Sequence, residues 1–330
     1  MRALLYPALA ALLALLLSPL PAGLIRRVKA LVQKRRGAPL LQLYRDLRKL
    51  LRKDPVVSTT SSWVLRAAPA VVFATSLVAC ALVPVTVRAL PDGVPGDLFL
   101  FFFVLALGRF FLVLSGMDAG SSFGGMGSSR EALISALVEP AAFTGILAIA
   151  AYARSTSFAA ALAALNGLGG DPLLPQAGAP TGWAPSALFL LPVFLAFVLV
   201  LVAETSRIPV DDPATHLELT MVHEAMILED SGRHLALLEY GAALKQWALL
   251  GLLASLFLPF DPFLGVAGAA GLALSVAFFA AKVLLLSLLV GVLEAATVKL
   301  RFFSVPNLAA LAFVLALVGF LQYAVTGIGR

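Results

Sequence analysis

Apolar residues dominate eight stretches of the chain, at roughly 3–24, 66–88, 98–116, 132–153, 185–203, 241–259, 264–293 and 305–325. Each is about 19–30 residues long and none alternates apolar with polar positions, so the pattern predicts bilayer-crossing helices rather than barrel strands. The expected fold is an all-α integral membrane protein, a single membrane domain over residues 1–330 with about eight transmembrane helices. Arg2 before the first run and the Pro19–Gly23 end resemble a secretory signal. Cleavage there would export the densely basic stretch that follows, so the run is read as a retained span.

The polar segments carry patterns of their own. From Leu40 to Lys53, Leu40, Leu43, Tyr44, Leu47, Leu50 and Leu51 fall at the spacing of one helical face, with Arg45, Asp46, Arg48, Lys49, Arg52 and Lys53 between them. This predicts an amphipathic helix within a basic loop at 25–65, lying along the membrane or against a partner. The polar segment 204–240 is the longest after it. Asp212 and Pro213 suit the cap and first turn of a helix there, which is expected to end before Gly232. Residues Gly116–Ser129 (GMDAGSSFGGMGSS) read as a flexible loop, either a tight connection or backbone that must approach a partner or lipid-like ligand closely. They fit neither a P-loop nor a dinucleotide fingerprint. The inverted repeat of many secondary transporters is not evident.

Composition supports lipid as the solvent. Hydrophobic residues make up 61% of the chain and charged ones 13%, with a mean hydropathy of +0.98. Soluble domains carry about 25% charge. The single cysteine, Cys80, cannot hold an iron–sulfur cluster, which takes about four ligands. No cofactor is expected in this chain.

Basic residues set the orientation. The loop after the first run holds 11 of the 24 Lys and Arg residues, which puts it on the cytoplasmic side. Arg130, Arg207, Arg233, Lys299 and Arg301 then also fall inside, and both termini outside. The outer connections carry Asp92, Asp97, Asp171 and Asp261.

Charges inside the spans are the candidate chemistry, because each costs at least ~2.5 kcal/mol near the bilayer centre. Arg109, Glu139, Glu204, Arg207, Glu239, Lys245, Lys282 and Glu294 all read as lying between the cytoplasmic face and the middle of the membrane. A hydrated path with proton-exchanging carboxylates would use them. Snorkelling at helix ends is the plainer reading for Lys245 and Glu294, whereas Glu139 is too deep and short for it. The histidines, His216, His223 and His234, lack metal-ligand spacing and read as solvated or partner-facing groups.

Several stretches together resemble a known family: AETSRIPVDDP at 203–213 with ATHLELTMVHEAMILEDSGRHLALLEY after it, RRGAPLLQLYRDLRKLLRKD, GMDAGSSFGGMGSSREALISALVEP and EAATVKLRFFSVPN. They resemble the membrane-anchor subunits of energy-converting nickel–iron hydrogenases, of the formate hydrogenlyase and hydrogenase-4 component C type. These subunits are homologous to subunit 1, the H subunit, of respiratory complex I. The resemblance implies a non-catalytic subunit of an oxidoreductase complex in the plasma membrane of a prokaryote. Its partners would be lipid, a nickel–iron large subunit, an iron–sulfur small subunit and antiporter-like membrane subunits, with no nucleic acid. Nickel–iron and iron–sulfur centres would sit in those partners.

It further implies a proton path through Glu139, Glu204, Arg207, Asp211 and Glu218, beside Arg109 and Lys282. Arg45, Arg48, Lys49, Arg130, His216 and His223 would face the soluble arm. Quinone-reducing relatives carry a more acidic run where this chain has Thr215 and His216, a departure that resembles the hydrogenase branch. Two rivals remain: the quinone-site subunit of an NADH:quinone oxidoreductase-like complex, and a stand-alone solute transporter. A tail-sized cleft beside 116–129 would favour the first, a midplane cavity with broken helices the second.

Overall fold

The computed structural model describes residues 2–86, 96–165, 189–212, 221–263, 265–266, 268–300 and 304–328. Among them the regular elements are helices, with one isolated bridge between Asp97 and Ser157. Seven helical stretches are long and apolar enough to cross a membrane. The first is α1 (Arg2–Leu17) running into α2 (Pro19–Val32). The others are α4 (Trp63–Leu82), α5 (Leu98–Asp118), α6 (Ser122–Ala153), α10 (Gly232–Phe257), α11 (Gly268–Ala296) and α12 (Val305–Ile328). The remaining expected crossing is α8 (Leu190–Glu204), 15 residues long where it is described. Shorter helices are α3 (Gln42–Leu51), α7 (Phe158–Leu165) and α9 (His223–Met226).

The join of α1 and α2 follows from Pro19, which has no N–H to offer the Leu15 carbonyl one turn back. The Tyr240 hydroxyl of α10 donates to that carbonyl instead, and Tyr44 of α3 donates to Leu16. The amphipathic helix expected over 40–53 is α3. Its Leu43 and Leu47 are buried against Ala22, Ala236 and Ala243, so its apolar face packs on α2 and α10. The N-terminus of α4 is closed by the Ser62 hydroxyl and by the Asp118 carboxylate, which accepts from Ser62 N and Leu65 N at 2.9 and 3.0 Å.

Two expectations change here. Residues 116–129 are not a flexible loop: α5 runs to Asp118 and α6 begins at Ser122. A Cβ at Gly127 would lie 2.8 Å from the Val222 carbonyl oxygen, so this glycine serves a close approach between segments of the chain. The polar segment 204–240 is also shorter than expected. Gly232, with φ +53°, turns the chain, and α10 starts there, taking in Arg233, His234 and Glu239. A helix from Pro213 falls on residues 213–220, outside the described residues. What is described before Gly232 is the single turn α9.

Burial ranks the helices. The most apolar window of α10 is 83% buried and that of α12 only 22%, which makes α10 the central helix and leaves α12 at the edge of the bundle. Before α10, Asp230 is buried beside Glu229; burial first, then that neighbouring charge, push its carboxyl up to about 7. Because the folded value lies above the unfolded one, near 3.9, the folded state holds this proton more tightly. Its stabilising effect is complete at low pH and is lost as pH rises from about 4 to about 7. Asp230→Asn should therefore flatten the fall in thermal stability between about pH 5 and 7.5. Equal slopes in the two proteins would refute this.

Candidate functional site

Four helices converge on one group of charges. Arg109, twelve residues into α5, is buried, as are Glu131 of α6 and Glu204 of α8. Arg109 Nη1 lies 2.9 Å from Glu139 Oε1, and its Nη2 donates to Glu204 Oε1. Its Nε is 3.9 Å from Glu131. Lys245 of α10 reaches Glu204 Oε2 at 2.8 Å. Glu204 ends its helix, where the macrodipole disfavours an anion; these two cations offset that.

A second set adjoins through Gln246. Arg207 Nη1 lies 2.8 Å from Glu294 Oε1 of α11, and Nη2 donates to Gln246 Oε1 at 2.7 Å. The local chain explains its position. Ser206, with φ +47°, ends α8, and Arg207 N donates back to Val202 O at 3.0 Å. The turn continues to Asp211, whose Oδ1 accepts from Lys299 at 3.0 Å and whose Oδ2 accepts from the backbone of Val222 and His223 at 3.2 Å. Asp211 thus ties the segment around 221–223 to the segment after α11.

Both sets face a cavity of about 640 Å³, lined by Arg109, Glu131, Glu204, Arg207, Lys245 and Glu294 among others. Its wall continues past Asp212 and Glu239 to Arg26 and Lys29 of α2. Arg207 Nε and Gln246 Nε2 are buried with no acceptor among the described residues. A hydrated cavity satisfies such donors. Chemically, carboxylates linked through cations beside water can pass protons or hold the helices together.

The structure brings together Arg109, Glu139 and Glu204, with Arg207 and Asp211 next to them. Glu218 and His216 lie outside the described residues. Lys282 is elsewhere: its Nζ donates to Leu258 O at 2.8 Å and lies 5.4 Å from the Phe278 ring centroid. Twelve residues separate it from Glu294 on α11, roughly 18 Å along the axis. Its long side chain reaches carbonyls just past the end of α10, so the expected common depth of all buried charges does not include it. Lys245 and Glu294 are paired inside the bundle and do not snorkel. Arg130 donates to the Met221 carbonyl at 3.0 Å, and His223 borders the cavity. Arg45, Arg48 and Lys49 project from the exposed side of α3.

Glu131 and Gln246 were not singled out from the sequence. Glu131 sits just before an apolar run and reads as interfacial until α6 is known to start at Ser122. Gln246 carries no charge to mark it.

The NADH dehydrogenase family's sequence pattern matches residues 5–324. Hydrogenase-4 component C of Escherichia coli is 33% identical over 306 residues, 93% of this chain and 91% of that protein. Formate hydrogenlyase subunit 4 of the same organism is 29% identical over 318 residues, 96% of this chain and 98% of that protein. A chain of the membrane-bound sulfane sulfur reductase, an archaeal respiratory membrane complex, superposes with a TM-score of 0.78 at 21% identity, covering 98% of this chain and all of that one. From the helical bundle and its buried charges to a match over nearly its whole length, the chain belongs to the NADH dehydrogenase family.

Proposed function

We propose that the chain is the membrane subunit of a hydrogenase-type respiratory complex, which anchors a soluble nickel–iron and iron–sulfur arm and carries protons through its buried carboxylates. One observation carries the reading: a single guanidinium, Arg109, is shared by Glu131, Glu139 and Glu204, and Arg109, Glu131 and Glu204 line a large cavity. With Lys245, two cations face three carboxylates, so the group is charge-balanced when it holds one proton. A set that gains and loses that proton through a hydrated cavity is a carrier.

The cavity mouth at Arg26 and Lys29 suits the cytoplasmic side, given the positive-inside distribution. Glu139 suits the other end. Its side chain is 40% exposed on a span, which is costly against lipid. A neighbouring, antiporter-like membrane subunit is expected to cover it. The soluble arm would dock on the basic loop, with its metal centres there and none in this chain. The setting is a prokaryotic plasma membrane, with about eight crossings and both termini outside. The quinone-site reading gains nothing at 116–129, where Gly116 and Gly127 pack closely against Met226 and Val222.

Gentle solubilisation of the tagged chain tests the assembly. A nickel–iron large subunit should copurify; a homogeneous monomer would count against the proposal. Reversing Arg45 and Lys49 to Glu should reduce the copurified soluble subunits at least about tenfold, since close interfacial charge pairs couple by about 1.5–7 kcal/mol. Undiminished copurification would remove α3 from the docking surface.

A further inference from the structure

We infer that α3, with the α1–α2 join, forms a site for one anionic glycerophospholipid. A groove of about 340 Å³ opens at this point, lined by Pro19, Tyr44, Leu47, Leu51, Arg48 and Arg52 with Tyr240 behind them. Tyr44, Arg48 and Arg52 are spaced four residues apart, so both guanidiniums share the helical face that borders the groove. Both are exposed, and neither is in an ion pair among the described residues.

The occupant follows from chemistry. Two neighbouring guanidiniums bind phosphate well. The phenols, which could otherwise hold a neutral carbonyl ligand such as a quinone head, already donate to the Leu15 and Leu16 carbonyls. From Pro19 an apolar strip continues along α1 through Leu16 and Leu12, which are 60% and 55% exposed. These positions lie three and seven residues back, on one helical face. A phosphate held between Arg48 and Arg52 leaves an acyl chain in the groove and along that strip. An amphipathic helix packed on the spans, as α3 is, is expected at the membrane boundary, where basic residues draw anionic lipid. This site is separate from the carboxylate cavity and does not depend on the proton-path proposal.

Native mass spectrometry of the full chain in mild detergent tests it, with added phosphatidylglycerol or phosphatidylcholine as probes. Phosphatidylglycerol adducts should be retained roughly tenfold better, as expected for two basic side chains near the surface. Arg48→Gln with Arg52→Gln should abolish that preference. Arg45→Gln with Lys49→Gln, the same charge loss on the neighbouring face, should keep it. Equal retention of the two lipids overturns the site. So does equal loss in both double variants, which would mean diffuse attraction. Full retention in the first double variant would assign Arg48 and Arg52 to a protein partner instead.

Discussion

Replacing Arg109 with Leu is expected to destabilise the folded chain by about 3–5 kcal/mol, the cost of removing one partner from a buried ion group. Glu204 would keep Lys245 at 2.8 Å, but Glu131 and Glu139 would lose the cation they share. Leu roughly fills the space, so the loss reads electrostatics rather than a cavity. Accumulation in membranes and thermal stability in detergent should both fall. Arg109→Lys should recover part, because one ammonium cannot serve three carboxylates in the geometry of a planar fork. Adding Glu204→Gln to Arg109→Leu should recover more than additivity allows, since the two groups are in direct contact. A variant that melts with the wild type would mean that Arg109 does not hold this group together.

Glu139→Gln should have the opposite profile, a small effect on folding and a large one on function. Gln keeps the shape and can still accept from Arg109, and its partly exposed position leaves no buried group unsatisfied. It cannot release a proton. Proton movement coupled to turnover in sealed vesicles should drop by about 100-fold, the lower range for removing a positioned proton-transfer group. Glu139→Asp should restore part of it. Lys282→Gln, midway along α11 and about 18 Å along the axis from Glu294, should leave it unchanged. Coupled proton movement at the wild-type rate in Glu139→Gln would end the carrier role of this residue and leave an anchor.

Much of the fold is legible without coordinates. The apolar runs became helices with shifts of a few residues at most of their ends, and α3 falls inside the segment whose leucines share one face. The misread segments have a common cause. Residues 116–129 are rich in Gly and Ser, which favour turns locally, yet there they permit close packing of α6 on the segment at 222. Residues 232–240 carry Arg, His and Glu and read as loop. They are helix because their apolar partners, Ala236 and Leu238, pack on α3 and on Ile227.

The site was legible in residue type but not in pairing. A charge in an apolar run is conspicuous, so Arg109, Glu139, Glu204 and Arg207 stood out. Which carboxylate meets which cation depends on helix rotation, and the contacts join residues 30, 95 and 87 positions apart. Lys282 and Glu294 share α11 and point to different ends of the bundle, a distinction that only their partners reveal.

By itself the sequence determined the solvent and the elements, because in lipid every backbone group must be satisfied within its own helix, and that is a property of consecutive residues. The tertiary structure alone decided the shared guanidinium, the place of Glu131 and Gln246, and the departure of Lys282. Those depend on distances between helices, and charges in a low-dielectric interior interact strongly only over a few ångströms of exact placement.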